Sequence, residues 1–163
     1  MKLSKAEIQL VLQEGEGYRI EFKERLSNLD REMVAFANAS GGRVYIGITD
    51  EGEVKGVNIT NELKSQIQDI ANNCDPPVKI FLQTFENVMI VEVREGTDKP
   101  YKCASGFYNR IGPNAQKMSR NEIVGFLKSE GKIRFDELVN QNFREEDFSN
   151  VKFNRFLKTA GIS

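Results

Sequence analysis

The chain has 163 residues, enough for one domain with a real hydrophobic core, and its four prolines and thirteen glycines fall in no low-complexity run. Lysine plus arginine, 23, almost cancels aspartate plus glutamate, 24, so any nucleic-acid contact has to come from a local patch and not a global basic field. The absence of histidine excludes histidine bases and His-containing zinc sites, and no apolar run approaches the roughly 18 residues of a membrane span.

Taken in order, Lys5–Glu14 reads as a short helix capped by Ser4, with Ile8, Val11 and Leu12 on one face. After Gly15-Glu16-Gly17 the run 18–23 alternates with period two. It predicts a strand with Tyr18, Ile20 and Phe22 inward and Arg19, Glu21 and Lys23 on a wet face. Asn28 or Asp30 caps a helix to about Ala39, with Glu32 in its first turn, and Gly41 or Gly42 supplies the left-handed stop. Val44–Ile48 is apolar on both faces and predicts a central strand. Asp50-Glu51-Gly52 turns it into a returning arm over 53–57.

Thr60 caps the next helix, which carries Leu63, Ile67 and Ile70 and stops at Asp75-Pro76-Pro77. Val78–Phe85 and Val88–Arg94 form a hairpin, 95–105 a polar loop, and Phe107–Ile111 a short strand closed by Gly112-Pro113-Asn114. Ser119 and Glu122 form a capping box for a helix to about Lys128, with Ile123, Val124 and Leu127 inward. Two further helical patterns, 135–140 and 148–159, follow Gly131. The order of elements predicts an α+β fold in two layers: a mixed, mostly antiparallel sheet with helices mainly on one face, plus a short C-terminal helical extension. The division expected is a domain over 1–130 and, over 131–163, an extension or the start of a linker to a missing C-terminal region.

Cys74 and Cys103 form no CxxC pair; two unpatterned cysteines fit a reducing cytoplasm, in which both stay thiols. With no apolar segment after Met1-Lys2, a cytoplasmic location without membrane association is expected. The chain could be a complete small protein or the front module of a longer one.

Four pieces in order then resemble the Schlafen-type AlbA domain. They are Gly15-Glu16 with Glu21-Phe22-Lys23, Ala35-Phe36-Ala37-Asn38 before Gly41-Gly42, Ile46-Gly47-Ile48-Thr49-Asp50 with Gly52-Glu53-Val54 and Gly56, and Lys99-Pro100-Tyr101 with 106–112. The likeness spans about residues 10–128. It implies a nucleic-acid-binding domain at the front of bacterial predicted transcriptional regulators. In these it precedes an ATPase-like region and a winged helix, neither of which is in this sequence. In the animal Schlafen branch a related core cuts RNA with three carboxylates and a divalent metal; by motif position these would be Glu16, Glu21 and Asp50.

The chemistry of each candidate has two readings. Three carboxylates around Mg²⁺ or Mn²⁺ polarise a phosphate and activate water, since hard ions take oxygen ligands. Equally, Glu21 between Arg19 and Lys23 is a salt-bridged sheet residue, Asp50 a turn former and Glu16 a solvated side chain. Between Arg94 and Arg120 six cations (Arg94, Lys99, Lys102, Arg110, Lys117, Arg120) face two anions (Glu95, Asp98), a local excess of four. Tyr101, Phe107 and Tyr108 interleave with them, able to stack on bases or to pack below a phosphate track.

The diglycine follows a helix and enters a strand, the reverse of a phosphate loop, and no GK[ST] occurs. The leading expectation is therefore a nucleic-acid module, DNA ahead of RNA, with little base readout and no required cofactor. Its phosphate contacts would be Lys23, Lys99, Lys102, Arg110 and Lys117, Arg110 foremost. The alternatives are an Mg²⁺- or Mn²⁺-dependent nuclease on Glu16, Glu21 and Asp50, and a structural or oligomerisation module, for which a homodimer is the simplest form.

Overall fold

The computed structural model describes residues 5–132 and 142–162. The chain divides into two compact units, Met1–Lys132 and Ile133–Ser163.

In the first unit the elements run α1 (Lys5–Glu14), β1 (Ile20–Lys23), α2 (Leu29–Asn38), β2 (Gly42–Ile46), α3 (Asn61–Asn72), β3 (Ile80–Phe85), β4 (Val88–Val93), β5 (Lys102–Cys103), β6 (Gly106–Ile111), β7 (Asn114–Lys117) and α4 (Arg120–Ser129). The α+β class read from the sequence holds. The strands divide between two sheets, a four-stranded one ordered β1-β2-β4-β3 and a three-stranded one ordered β5-β6-β7. β1 and β2 are parallel, joined through α2, whereas every other pairing is antiparallel.

The four-stranded sheet is covered on both faces, and the side-chain alternation shows how. Val44 and Ile46 of β2, with Met89, Val91 and Val93 of β4, join the buried side chains of α2 and α3. Tyr45 of β2, Val88 and Ile90 of β4 and Phe22 of β1 point the other way, onto Ile8, Val11 and Leu12 of α1. The sequence expectation of helices mainly on one face is thus modified: α1 covers one face and α2 with α3 the other.

α2 is the centre of the unit. Its residues Met33, Val34, Ala35, Phe36 and Ala37 are all buried, the mark of a helix with no solvent side. The four-stranded sheet lies on one side of it and β5, β6 and β7 on the other. Each large side chain sealed there contributes about 1.5–3 kcal/mol of hydrophobic stabilisation. Asn28 precedes the helix in the left-handed conformation and makes no side-chain cap, contrary to the capping role expected of it. The stop is as expected: Gly41 has φ 73° and donates its N–H to the Phe36 carbonyl. Gly42 answers a packing need, since a Cβ there would fall 2.3 Å from the Phe36 ring.

Three other boundaries differ from the sequence reading. β1 begins at Ile20, and Tyr18, expected inside, is 45% exposed. The expected hairpin over 44–57 shrinks to a single bridge between Ile48 and Val54. The polar loop over 95–105 contains β5, and 114–117 forms the unexpected β7. The Thr60 cap and the Ser119–Glu122 capping box form as read.

In the second unit a 3-10 turn at Glu145–Asp147 leads to α5 (Asn150–Ala160), capped by Ser149 and stopped by Gly161 with φ 67°. The helix expected over 135–140 and the Ser4 cap lie outside the described residues. Among the described residues no helix is long and apolar enough to cross a membrane.

Candidate nucleic-acid interface

β1 carries Glu21 and Lys23 on the face opposite Phe22, so both point toward α2 and β6, Glu21 buried and Lys23 half-buried. There Glu32, one turn before Phe36 on α2, and Arg110, from the middle of β6, complete a buried cluster of two acids and two bases. The Arg110 guanidinium donates to Glu32 Oε2 at 2.7 Å, to Glu21 Oε2 at 2.8 Å and to the Gly17 carbonyl at 2.9 Å. Its flat face lies 4.4 Å from the centre of the Phe36 ring. Lys23 Nζ lies 2.9 Å from Glu21 Oε1 and 3.5 Å from Glu32 Oε1.

Burial, then the nearby charge of Glu21, pushes the Glu32 carboxyl above its usual range; Lys23 and Arg110 pull the other way. Burial also opposes the charge on Lys23, but its hydrogen bond and attraction to Glu21 win and raise its pKa. The cluster is neutral in sum, and it pins β1 and β6 to the central helix.

This placement removes Arg110 from the surface. Its side chain is 0% exposed, so the residue expected to lead phosphate contact has no face to offer a phosphate. Lys23 is committed to the same cluster. Lys99 is likewise tied down: its Nζ donates to the Ala39 carbonyl at 3.1 Å and to Glu95 at 2.7 Å. It thereby satisfies a backbone acceptor just past the end of α2, where a cation is favoured. Lys102 and Lys117 are exposed, as is Arg120. Among the described residues the Lys102 ammonium pairs with Asp75, at 3.4 Å across a surface pair of the kind worth little. Of the aromatic residues, Tyr101 and Tyr108 are buried and Phe107 is half-buried.

The three carboxylates are near one another without forming a metal site. Partial desolvation raises the Glu16 carboxyl, with Glu21 and Asp50 adding repulsion, which places the three within electrostatic reach. Yet Glu16 Oε1 accepts the Phe22 N–H at 3.0 Å, and each oxygen of Glu21 faces a cation. Asp50 sits exposed at its turn. Among the described residues no three His, Cys, Asp or Glu side chains stand together in a way that holds a metal ion. The donor set therefore does not fit Mg²⁺ or Mn²⁺, and no hydrolytic step follows from it. Arg19, expected to pair with Glu21, is replaced in that role by Arg110, a partner 89 positions away.

Two buried polar residues escaped the sequence reading. Glu32 passed as a first-turn acid suited to a helix N-terminus, although its place among Leu29, Met33 and Phe36 marks it as buried. Asn38 sits between two alanines at the end of the apolar helix. Its amide donates to the Tyr101 and Tyr108 carbonyls, each at 2.8 Å, and accepts the Tyr101 N–H at 2.7 Å, sewing α2 to the second sheet.

The diglycine lines a cleft of about 650 Å³ at one end of the four-stranded sheet. Arg19, Arg43 and Arg94 there face Glu14, Glu92 and Glu95, so the cleft carries no net positive field. Arg43 is paired with Glu92 at 3.4 Å, and Arg94 lies over the Phe81 ring.

The outer face of the three-stranded sheet carries exposed Lys102. Tyr108 and Arg110 turn inward, so Phe107, Asn109 and Ile111 turn outward. The register sets Lys102 opposite Phe107 and Gln116 opposite Asn109. One cation, one aromatic ring and two amides thus share a face; Lys117, opposite Tyr108, lies on the other face of the edge strand and is exposed there, and Arg120 opens α4.

Two solved structures are similar to this chain to different degrees. The DIP2311 protein from Corynebacterium diphtheriae superposes with a TM-score of 0.51 at 16% identity, over 77% of this chain and 28% of its own length, a likeness of fold alone. The N-terminal domain of a RecG-related protein from Nitrosomonas europaea aligns at 23% identity over 70% of this chain and 90% of that domain, with a TM-score of 0.41. No curated protein matches the chain. The family model described as Schlafen, AlbA_2 matches residues 16–119, from the carboxylate beside β1 to the cap of α4. That stretch is more than half of the sequence and takes in both sheets and the charged cluster between them, and the chain belongs to the Schlafen AlbA_2 family.

Proposed function

We propose that this domain binds nucleic acid, DNA ahead of RNA, through the outer face of the three-stranded sheet, as the phosphate-contacting module of a transcriptional regulator. Family membership supports the nucleic-acid association. The observation that carries the choice of surface is the cross-strand pair Lys102–Phe107 beside Asn109–Gln116. A phosphate displaces the weak Asp75 partner of Lys102 at little cost, exposed Arg120 and, from across the edge of the sheet, Lys117 extend the positive track, and Phe107 offers a ring edge to a base. Few side chains reach base edges, so binding tolerates sequence.

Fluorescence anisotropy of a labelled duplex, titrated across salt concentrations, tests the proposal. Three neutralised phosphates give a slope of log K against log salt of roughly −2.7. Lys102→Ala and Lys117→Ala are each expected to flatten it by about 1 and to weaken every duplex alike. Binding that ignores salt, absence of binding at low salt, or unchanged slopes in both variants would sink the assignment.

A further inference from the structure

The fold brings Cys74 and Cys103 into one core cluster, each next to a residue of a two-residue bridge. Asp75 and Lys102 exchange both backbone hydrogen bonds, each 2.8 Å long, as an antiparallel bridge. Continued by one step, that register sets Cys74 opposite Cys103 as a pair of the non-hydrogen-bonded kind, for which Cα atoms generally lie about 4.5 Å apart with side chains close. Such a spacing lies inside the roughly 4.4–6.8 Å that a disulfide spans.

Independent features place the two cysteines in one neighbourhood. Both cysteines belong to one core cluster and both line a cavity of about 200 Å³ with Leu26, Asp30 and Ile70. Burial pushes the Cys74 thiol up to about 12, and the second contribution is the charge of Cys103, so the groups sense each other.

We propose that Cys74 and Cys103 are an oxidisable pair that closes into an intramolecular disulfide when a peroxide enters this cavity, stapling the end of α3 to β5. Cys74 donates its S–H to the Ile70 carbonyl at 3.4 Å and holds its proton at neutral pH. Cys103 Sγ lies 3.2 Å from Ser105 Oγ and 3.5 Å from the Gly106 carbonyl, and Cys103 is the attacking group in this scheme. Its sulfur attacks one peroxide oxygen, the O–O bond breaks, and hydrogen peroxide leaves one water and a sulfenic acid on Cys103. The Cys74 sulfur then displaces the hydroxyl, which departs as water with the Cys74 proton. Two thiols lose two electrons and two protons, and one peroxide becomes two waters. A dithiol reductant reverses the bond.

The full chain, treated with a small excess of hydrogen peroxide under native conditions, is read by intact mass and by mapping of unreduced peptides. The expected result is a loss of 2 Da, a linked peptide pair carrying Cys74 and Cys103, and return to the starting mass with dithiothreitol. The oxidised form should melt roughly 5 °C or more above the reduced form. Cys74→Ser and Cys103→Ser should each lose the 2 Da change. Gains of 16 or 32 Da on single cysteines, links only between molecules, or two unmodified thiols in the folded wild-type chain would each overturn the proposal. The wild-type measurement decides it even where a serine variant fails to fold.

Discussion

Arg110 shows how one residue settles what its neighbours can do. Its guanidinium holds Glu21 and Glu32 together beneath β6 and lies over Phe36. With Arg110 in place the two carboxylates are counterions; without it Lys23, of that cluster, is left facing two buried carboxylates. Arg110→Met keeps the volume and removes the charge, and the expected loss is roughly 3–5 kcal/mol, because a buried acid has lost its partner. Chemical denaturation of the purified variant measures it. Adding Glu21→Gln and Glu32→Gln to that variant should recover part of the loss, since the penalty lies in the unpaired charges. Loss of less than about 1 kcal/mol in the single variant would mean that Lys23 alone can neutralise the pair.

At the scale of elements, the passage from α2 into β2 carries the tightest backbone requirement. Gly41 has φ 73°, and a Cβ there would stand 2.7 Å from the Val93 carbonyl oxygen and 2.9 Å from the Glu95 nitrogen. Both obstacles are backbone of the strand end alongside and cannot swing away. Gly41→Ala should therefore cost about 2 kcal/mol or more, from left-handed strain plus the clash, and lower Tm by roughly 4–8 °C. Gly125→Ala is the contrast. Gly125 lies in helix α4 with open space around its Cβ position, so alanine there should be neutral or stabilise by up to about 1 kcal/mol. Equal effects of the two changes in thermal melts would refute the argument.

The whole molecule divides at Lys132, and the first unit contains both sheets, the central helix and the charged cluster. A chain ended after Lys132 keeps every contact described for that cluster and for the outer face of the three-stranded sheet. It is expected to unfold in a single cooperative transition and to give the same salt-dependent duplex titration as the full chain, if the proposed binding holds. A broad, non-cooperative melt of the shortened chain would show that the unit does not stand alone.

The local features were legible in the sequence because their causes are local. The Ser119–Glu122 box, the Thr60 cap, the glycine stop after α2 and the β3–β4 hairpin depend on residues within a few positions of one another, and all form as read. The α+β class followed from their order. What the sequence could not determine is which face of β1 is wet. Period-two alternation separates Glu21 and Lys23 from Phe22 but says nothing of what covers each face, and here a helix and a second sheet cover the charged one. Arg110 and Glu21 are 89 residues apart, as Cys74 and Cys103 are remote in the chain, and only tertiary packing sets such distances. By itself the sequence determined that carboxylates and basic residues are available. The tertiary structure decided which of them cancel inside the core and which stay exposed, because in a buried site every charge must find its partner.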